Sequence, residues 1–272
     1  MSTAVTQKNR TGSGSCTDAS APIQFTFNGK SYQGVVGDTL ASALLANGVD
    51  VVGRSFKYAR PRGIVGHGAE EPNGIIQLGS GAATVPNLKA TQVELYPGLE
   101  ASSVNGWPNV DFDLMGLIGA FGRLMPPGFY YKTFMYPKKL WMTYEHFIRQ
   151  AAGLGATPVE NDPDSYDKLN QHCDVLVVGA GPAGLVAARE AARTGARVII
   201  ADEQAQFGGS LLASKQTIDG LAAIKPMPAP QEIGRIIITR MLDWFTCRRM
   251  APHRLPGPRP WTWEETLWFR PT

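Results

Sequence analysis

The chain has 272 residues, 43% hydrophobic and 18% charged, with a formal net charge of +3. That is apolar material enough for about two globular domains and too small a basic excess to argue for nucleic acid. Its three cysteines, Cys16, Cys173 and Cys247, lie far apart without a CxxC pair, which argues against a disulfide framework and against a zinc or other metal site.

Residues 1–20 are polar and Gly/Ser-rich, without the apolar core of a secretory signal, and read as a disordered arm. Residues 23–28 alternate apolar and polar as a half-buried strand does. Asn28-Gly29 is the signature of a type I′ hairpin turn, because both central positions need positive φ. Residues 31–36 form the return strand. Asp38 or Thr39 can N-cap the helix that follows, whose face is Leu40, Ala43, Leu44 and Ala46, with Gly48 placed to end it. Strand, turn, strand and helix at this spacing predict a small β-grasp domain over residues 21–98, with Val93-Glu-Leu-Tyr96 as its late strand. Arg54, Lys57, Arg60 and Arg62 are interleaved with Phe56, Tyr58 and Pro61. They form a solvated basic face or one that meets a phosphate or an acidic partner.

Residues 99–170 read as a connector rich in aromatic residues, among them Trp107, Phe112, Tyr136, Trp141, Tyr144 and Phe147. Its most apolar stretch, 114–125, is too short to span a bilayer, so no membrane contact is expected and the cytoplasm is the expected compartment. The acidic, turn-rich residues 158–165 suit a domain boundary.

Residues 173–184 read Cys-Asp-Val-Leu-Val-Val-Gly-Ala-Gly-Pro-Ala-Gly. An apolar strand runs into Gly179, Gly181 and Gly184, a helix of small residues follows, and a second apolar run over 197–201 ends at Asp202 and Glu203. This is the first β-α-β of a dinucleotide-binding fold. Gly179 permits the tight turn, Gly181 admits the pyrophosphate to the backbone, and Gly184 lets helix and strand pack closely. Pro182 and Ala183 open the helix, whose N-terminal N–H groups face phosphate. Asp202 stands where a carboxylate takes the ribose hydroxyls, with Glu203 as the alternative. An acid there favours NAD or FAD over NADP. Gly208 and Gly209 form either a loop passing close to the cofactor or a simple turn. The motif alone leaves NAD and FAD open, and no residue stands out as catalytic. His67, His146, His172 and His253 are scattered.

After Gly220 the composition changes. Residues 221–272 hold 8 of the 20 prolines and 4 of the 6 tryptophans, with seven arginines and one lysine, and periodicity fades beyond 233–245. Residues 171–220 thus read as the first half of a dinucleotide-binding domain, an incomplete Rossmann-like unit. Residues 221–272 read as an atypical tail foreign to the fold, of the kind a frameshift produces.

The phrases Phe25-Thr-Phe-Asn-Gly-Lys-Ser-Tyr-Gln-Gly34, Gly37-Asp-Thr-Leu-Ala-Ser-Ala-Leu-Leu-Ala-Asn-Gly48 and Gly53-Arg-Ser-Phe-Lys-Tyr-Ala-Arg-Pro-Arg-Gly63, with Gly179-Ala-Gly-Pro-Ala-Gly184 and Asp202-Glu-Gln204, resemble the start of the α subunit of heterotetrameric sarcosine oxidase over about residues 20–220. The resemblance implies an α/β chain whose N-terminal domain is ferredoxin-like. A [2Fe–2S] cluster there needs four thiolates, and 21–98 contains no cysteine, so the domain is expected to be cluster-free. The resemblance also implies NAD as a tightly held, non-redox ligand of the Gly-rich motif. FAD and FMN are implied on a partner subunit, β, γ and δ subunits as partners, and a tetrahydrofolate site in a C-terminal region beyond the match. The reaction implied for the assembly is oxidative demethylation of sarcosine to glycine, with peroxide formed and the one-carbon unit passed to tetrahydrofolate. The alternatives are a non-catalytic nucleotide-binding or assembly module, or a subunit of a related amine or opine dehydrogenase. The isolated chain is expected to be inactive.

Overall fold

A computed structural model describes residues 7–11, 17–114, 116, 128, 136–161, 170–204 and 207–213, and short stretches at 217–218, 221–222 and 236–240. Nearly all of the apolar stretch 114–125, together with Cys16, Cys247, His253 and most of the tail, lies outside these residues. The chain divides into two compact units, Met1–Pro163 and Asp164–Thr272.

In the first unit β1 (Asp18–Phe27) and β2 (Lys30–Val36) form an antiparallel hairpin. Its turn has φ of 51° at Asn28 and 74° at Gly29, the double positive-φ geometry that selects this dipeptide. Helix α1 (Leu40–Ala46) starts at Thr39, whose side chain accepts from the Ser42 N–H while the Ser42 hydroxyl accepts from the Thr39 N–H. This capping box satisfies two N–H groups reciprocally. Gly48, at φ +77°, follows the C-cap Asn47.

Next come a two-residue pair, β3 (Gly53–Arg54) with β4 (Pro61–Arg62), and then β5 (Ile75–Leu78), β6 (Val85–Lys89) and β7 (Leu99–Ser103). The main sheet runs β2-β1-β7-β5-β6. Strand β7 lies parallel to β1 through Phe25–Leu99 and Phe27–Ala101, and antiparallel to β5. One sheet face packs on α1 around Phe27, Leu40, Leu44, Ile76 and Leu99, each essentially sealed from solvent. Each such side chain is worth about 1.5–3 kcal/mol of transfer free energy.

Two expectations are corrected in this unit. The late strand is β7 and not 93–96. The earlier segment makes one isolated bridge, Thr39 to Glu94, and its backbone serves the helix start instead, with Leu40 N–H donating to Val93 O and Leu95 N–H to Asp38 O. The N-terminal arm, in its described part, is anchored. Arg10 forms a two-pronged ion pair with Asp38, whose side chain is fully buried. The Asn9 N–H donates to Ala46 O, and β1 already begins at Asp18. The physical cause is Asp38, a buried carboxylate that also accepts from the Val35 N–H and the Ser42 hydroxyl and needs a cation beside it.

Arg54 likewise turns inward. Its guanidinium donates to the carbonyls of Val110, Ala59 and Asp111. It therefore braces the chain rather than joining a basic face, while Lys57 and Arg60 lie over the Tyr58 ring. Helix α2 (Trp141–Ala152) ends at Gly153 in the left-handed region, and no residue of it is buried.

The second unit contains β8 (Val175–Val178), helix α3 (Pro182–Arg193) and β9 (Val198–Asp202), with β8 and β9 parallel. Two-residue strands β10 (Thr217–Ile218) and β11 (Leu221–Ala222) pair antiparallel. Strand β12 (Ile236–Arg240) lies parallel to β9, giving the order β12-β9-β8. The reading of 221–272 as foreign to the fold is corrected to that extent. Ile236-Ile-Ile-Thr239 is a β-branched run suited to a strand, and its register with β9 extends the sheet in chain order. Val175 and Val177 pack with Ala188, Ala192, Val198 and Ile200, whereas Leu176 and Val178 on the other face of β8 are exposed. No helix of the described residues is long and apolar enough to cross a membrane.

Candidate functional site

At the carboxyl ends of β8 and β9 the structure gathers nearly every residue singled out from the glycine motif. Gly179 adopts φ +101°, a conformation open to glycine at no steric cost, and its N–H donates to Ala201 O. Gly181 is the N-cap of α3 and Pro182 opens the helix, where its missing N–H costs nothing. Among the described residues, chain neighbours aside, a Cβ on Gly179 or Gly181 would meet no atom within 4 Å. A Cβ on Gly184 would lie 1.9 Å from Gly179 O, so this glycine is fixed by the approach of helix to loop. Ala188 and Ala192, one and two turns further on, continue the close-packed face.

Asp202 does more than end β9. Its Oδ2 accepts the Ala180 N–H at 2.5 Å and its Oδ1 the Gln204 N–H at 2.7 Å. The carboxylate thus ties the glycine loop to the second strand, and each oxygen keeps one lone pair for a further donor. Glu203 is exposed beside it. The pair Gly208-Gly209 folds back on the loop: the Gly208 N–H donates to Ala180 O, and a Cβ on Gly209 would come 3.0 Å from Gly181 Cα. Its close approach is to the loop backbone. Pro182 and Ala183 are exposed at the mouth. The first turn of α3 presents N–H groups with no intrahelical partner, next to the positive end of the helix dipole. The arrangement suits a pyrophosphate over Gly181–Gly184 and a ribose near Asp202.

Sequence reasoning missed Glu71. It is 1% exposed, while its neighbour Glu70 is exposed. Its Oε2 accepts from the N–H groups of Val65 at 2.8 Å and Gly66 at 2.5 Å, and its Oε1 from Asn73 at 2.7 Å and Gly74 at 3.0 Å. Burial pushes its carboxyl up, but the four hydrogen bonds together outweigh this and hold it below the ordinary glutamate value. An acid next to Pro-Asn-Gly was the available signal, and nothing local separates it from Glu70.

Comparison with known proteins places these two units. Residues 20–106 match the family model described as a 2Fe-2S iron-sulfur cluster binding domain, and residues 174–269 match that of an FAD dependent oxidoreductase. Sarcosine oxidase subunit alpha of Rhizobium meliloti (strain 1021) is 56% identical over 239 residues, covering 84% of this chain and 24% of the relative. The stretch matched is homologous to sarcosine oxidase subunit alpha. The corresponding subunit of Corynebacterium sp. (strain U-96) is 36% identical over 214 residues, covering 77% of the chain and 17% of that protein. The chain therefore spans a quarter or less of the length of these relatives. A looser likeness, with a TM-score of 0.43 at 16% identity, is to an L-proline dehydrogenase from P. horikoshii, covering 80% of this chain and 33% of that one.

Residues 20–106 are thus a mixed α/β domain of the 2Fe-2S ferredoxin-like kind, and residues 174–269 match an FAD-oxidoreductase-type domain. Residues 20–106 contain no cysteine, so the thiolate set that a [2Fe–2S] cluster requires does not exist there and the residues do not fit that group.

Proposed function

We propose that this chain is the N-terminal part of the α subunit of a sarcosine oxidase-type oxidoreductase and that it holds an adenine dinucleotide, NAD, on the Gly179–Gly184 loop. The observation that carries the dinucleotide is the pair of open glycines, Gly179 and Gly181, at the positive end of α3 beside Asp202. The reaction we propose for the assembly is the one the resemblance implies: oxidation of the N-methyl group of sarcosine to release glycine, with peroxide formed and the one-carbon unit taken by tetrahydrofolate. NAD at this loop, the flavins on a partner subunit, and the β, γ and δ partners rest on the resemblance to the α subunit.

The roles within the chain follow from its geometry. Gly181, Ala183 and Gly184 would offer backbone N–H groups to the pyrophosphate, while Pro182 fixes the first helical turn. Asp202 would take ribose hydroxyls through its remaining lone pairs, with Glu203 beside it. NAD, where bound, would serve as a structural ligand, and hydride chemistry would belong to the flavin. We expect no turnover from the isolated chain, because the flavin chemistry is implied on a partner subunit.

A second reading has an observation behind it: the family model over 174–269 is that of FAD dependent oxidoreductases, so the same loop would hold the ADP half of FAD. Isothermal titration of the chain with NAD, NADP and FAD separates the two. Saturable binding of NAD with no binding of NADP is expected. FAD binding in preference to NAD establishes the second reading, and no dinucleotide binding at all refutes both. Co-expression with a β-like subunit, followed by flavin absorbance and a peroxide assay with sarcosine, tests the assignment of the reaction.

A further inference from the structure

The loop at residues 64–74 belongs to a domain whose family binds an iron-sulfur cluster, yet this chain has no thiolate to offer. A [2Fe–2S] centre on four thiolates carries net negative charge, and backbone N–H groups hydrogen-bonded to its sulfurs help to hold and tune it. Stripped of its anion, such a loop would keep several buried N–H groups converging on one point, each left unsatisfied at a cost in stability. Four N–H groups, from Val65, Gly66, Asn73 and Gly74, do converge here, and they close on the two oxygens of Glu71.

The glycines of the loop carry the second half of the argument. Gly66 and Gly74 are not among the residues with positive φ, so their backbone does not demand glycine. The obstacle to a side chain is the Glu71 side chain at Gly74 and the backbone of Glu70 and Glu71 at Gly66. A Cβ on Gly74 would lie 3.1 Å from Glu71 Cγ and 3.6 Å from its Cδ, and one on Gly66 would lie 3.0 Å from Glu71 Cα. Position 74 therefore faces the Glu71 side chain and position 66 the backbone that carries it, so both glycines make room for Glu71.

From this convergence we infer that the Glu71 carboxylate is the built-in anion of a cluster cradle, taking the place that an iron-sulfur group would hold and locking the loop without metal. The lowered carboxyl pKa agrees with an anion held by four donors. The inference concerns the first unit alone and is independent of the dinucleotide reading.

Three measurements on the full 272-residue chain test it. In the unaltered chain, the amide resonances of Val65, Gly66, Asn73 and Gly74 are expected to titrate together at one pH below the ordinary glutamate range. Independent titrations, or a common one at the ordinary value, would overturn the shared anion. In the Glu71→Ala variant the melting temperature should fall by roughly 5–15 °C, and added formate, a free carboxylate of the right size, should restore at least half of the loss where equal chloride restores little. No loss, or no recovery in formate, would overturn it. The Gly66→Cys/Glu71→Cys/Gly74→Cys variant, given iron, sulfide and a small thiol as fourth ligand, should gain a visible thiolate-to-iron chromophore. The Gly66→Cys/Gly74→Cys variant, which keeps Glu71, should not. Equal absorbance from the two variants would remove the cluster from this place.

Discussion

The loop at 64–74 and the loop at 179–184 both bring backbone N–H groups to one point, and they differ in what meets them. The first closes on a carboxylate of its own chain, Glu71, buried to 1% exposure. The second keeps glycines at 179 and 181 where a Cβ would touch nothing within 4 Å among the described residues. A loop that supplies its own counter-charge is complete as folded, and its glycines at 66 and 74 serve the acid that fills it. A loop that leaves such room suits an external anion, the dinucleotide proposed above. Its three glycines divide into one that serves a positive φ, Gly179, one that serves packing, Gly184, and one, Gly181, for which the proposed ligand is the reason.

The sharpest way to break this contrast is Gly184→Val. The new Cβ would lie 1.9 Å from Gly179 O, a backbone atom of a loop tied on one side to Ala201 and on the other to Asp202. Neither helix nor strand can retreat without opening the small core around Ala188 and Ala192. A loss of about 3 kcal/mol or more in the second unit is expected, together with loss of dinucleotide binding and no change in the first unit. Urea unfolding followed by probes in each unit checks it. A variant that unfolds at the wild-type urea concentration would show that helix and loop are not in contact.

Next in size is the acid response of the first unit. Glu71 has a folded pKa below its unfolded value. Its contribution to stability is then fully present above the unfolded glutamate value and is lost as pH falls through the folded one. Glu71→Gln should remove about 1–3 kcal/mol near neutral pH, because an amide cannot accept four N–H bonds as a carboxylate does. It should also flatten the acid limb of the stability curve. Denaturant titrations of both proteins from neutral to acid pH measure this. Parallel curves with the same acid slope would sever the tie between Glu71 and the pH response.

Comparable in size is Asp38→Ala. It would strand the Val35 N–H and leave Arg10 without its counter-charge, with only the Gln7 side chain, among the described residues, to accept from it. Burial and polar satisfaction predict a loss of about 2–3 kcal/mol, and protease access to residues 7–11 should rise with it. Cleavage unchanged in rate would mean that the arm is anchored without Asp38.

These cases show where the sequence could be read and where it could not. The Asn28-Gly29 turn was legible because two consecutive positive φ values admit few residue types, and Thr39 and Gly48 were legible for similar local reasons. Gly179 and Gly184 were legible because each has a distinct task inside the chain, a positive φ and a close approach of helix to loop. The parallel pairing of Leu99–Ser103 with β1 was not, since it joins segments some seventy residues apart and no local pattern encodes the partner. The fates of Glu70 and Glu71 were not legible either. The two are identical in type and adjacent, and only the tertiary convergence of 65, 66, 73 and 74 buries one of them. Asp202 was placed correctly at the end of its strand, but its bonds to Ala180 and Gln204 depend on a loop geometry that spacing alone does not give. Ile236–Arg240 was obscured by the proline- and tryptophan-rich composition around it.

The smallest expected change in stability carries the most information about the second loop. Gly181 sits at φ −70° and ψ 178°, an extended conformation that any residue adopts, and a Cβ there would meet nothing within 4 Å. Gly181→Ala should therefore leave stability within about 0.5 kcal/mol of wild type. With no steric or conformational reason among the described residues, this glycine is the one the proposed ligand would account for. The added methyl would stand where a pyrophosphate must approach the backbone, and dinucleotide affinity should fall on the order of tenfold or more, about 1.4 kcal/mol. Titration calorimetry of wild type and variant, with melting curves as the control, reads both quantities. Unchanged affinity with unchanged stability would detach the ligand from the loop, while a large stability loss would return Gly181 to the same packing role as Gly184.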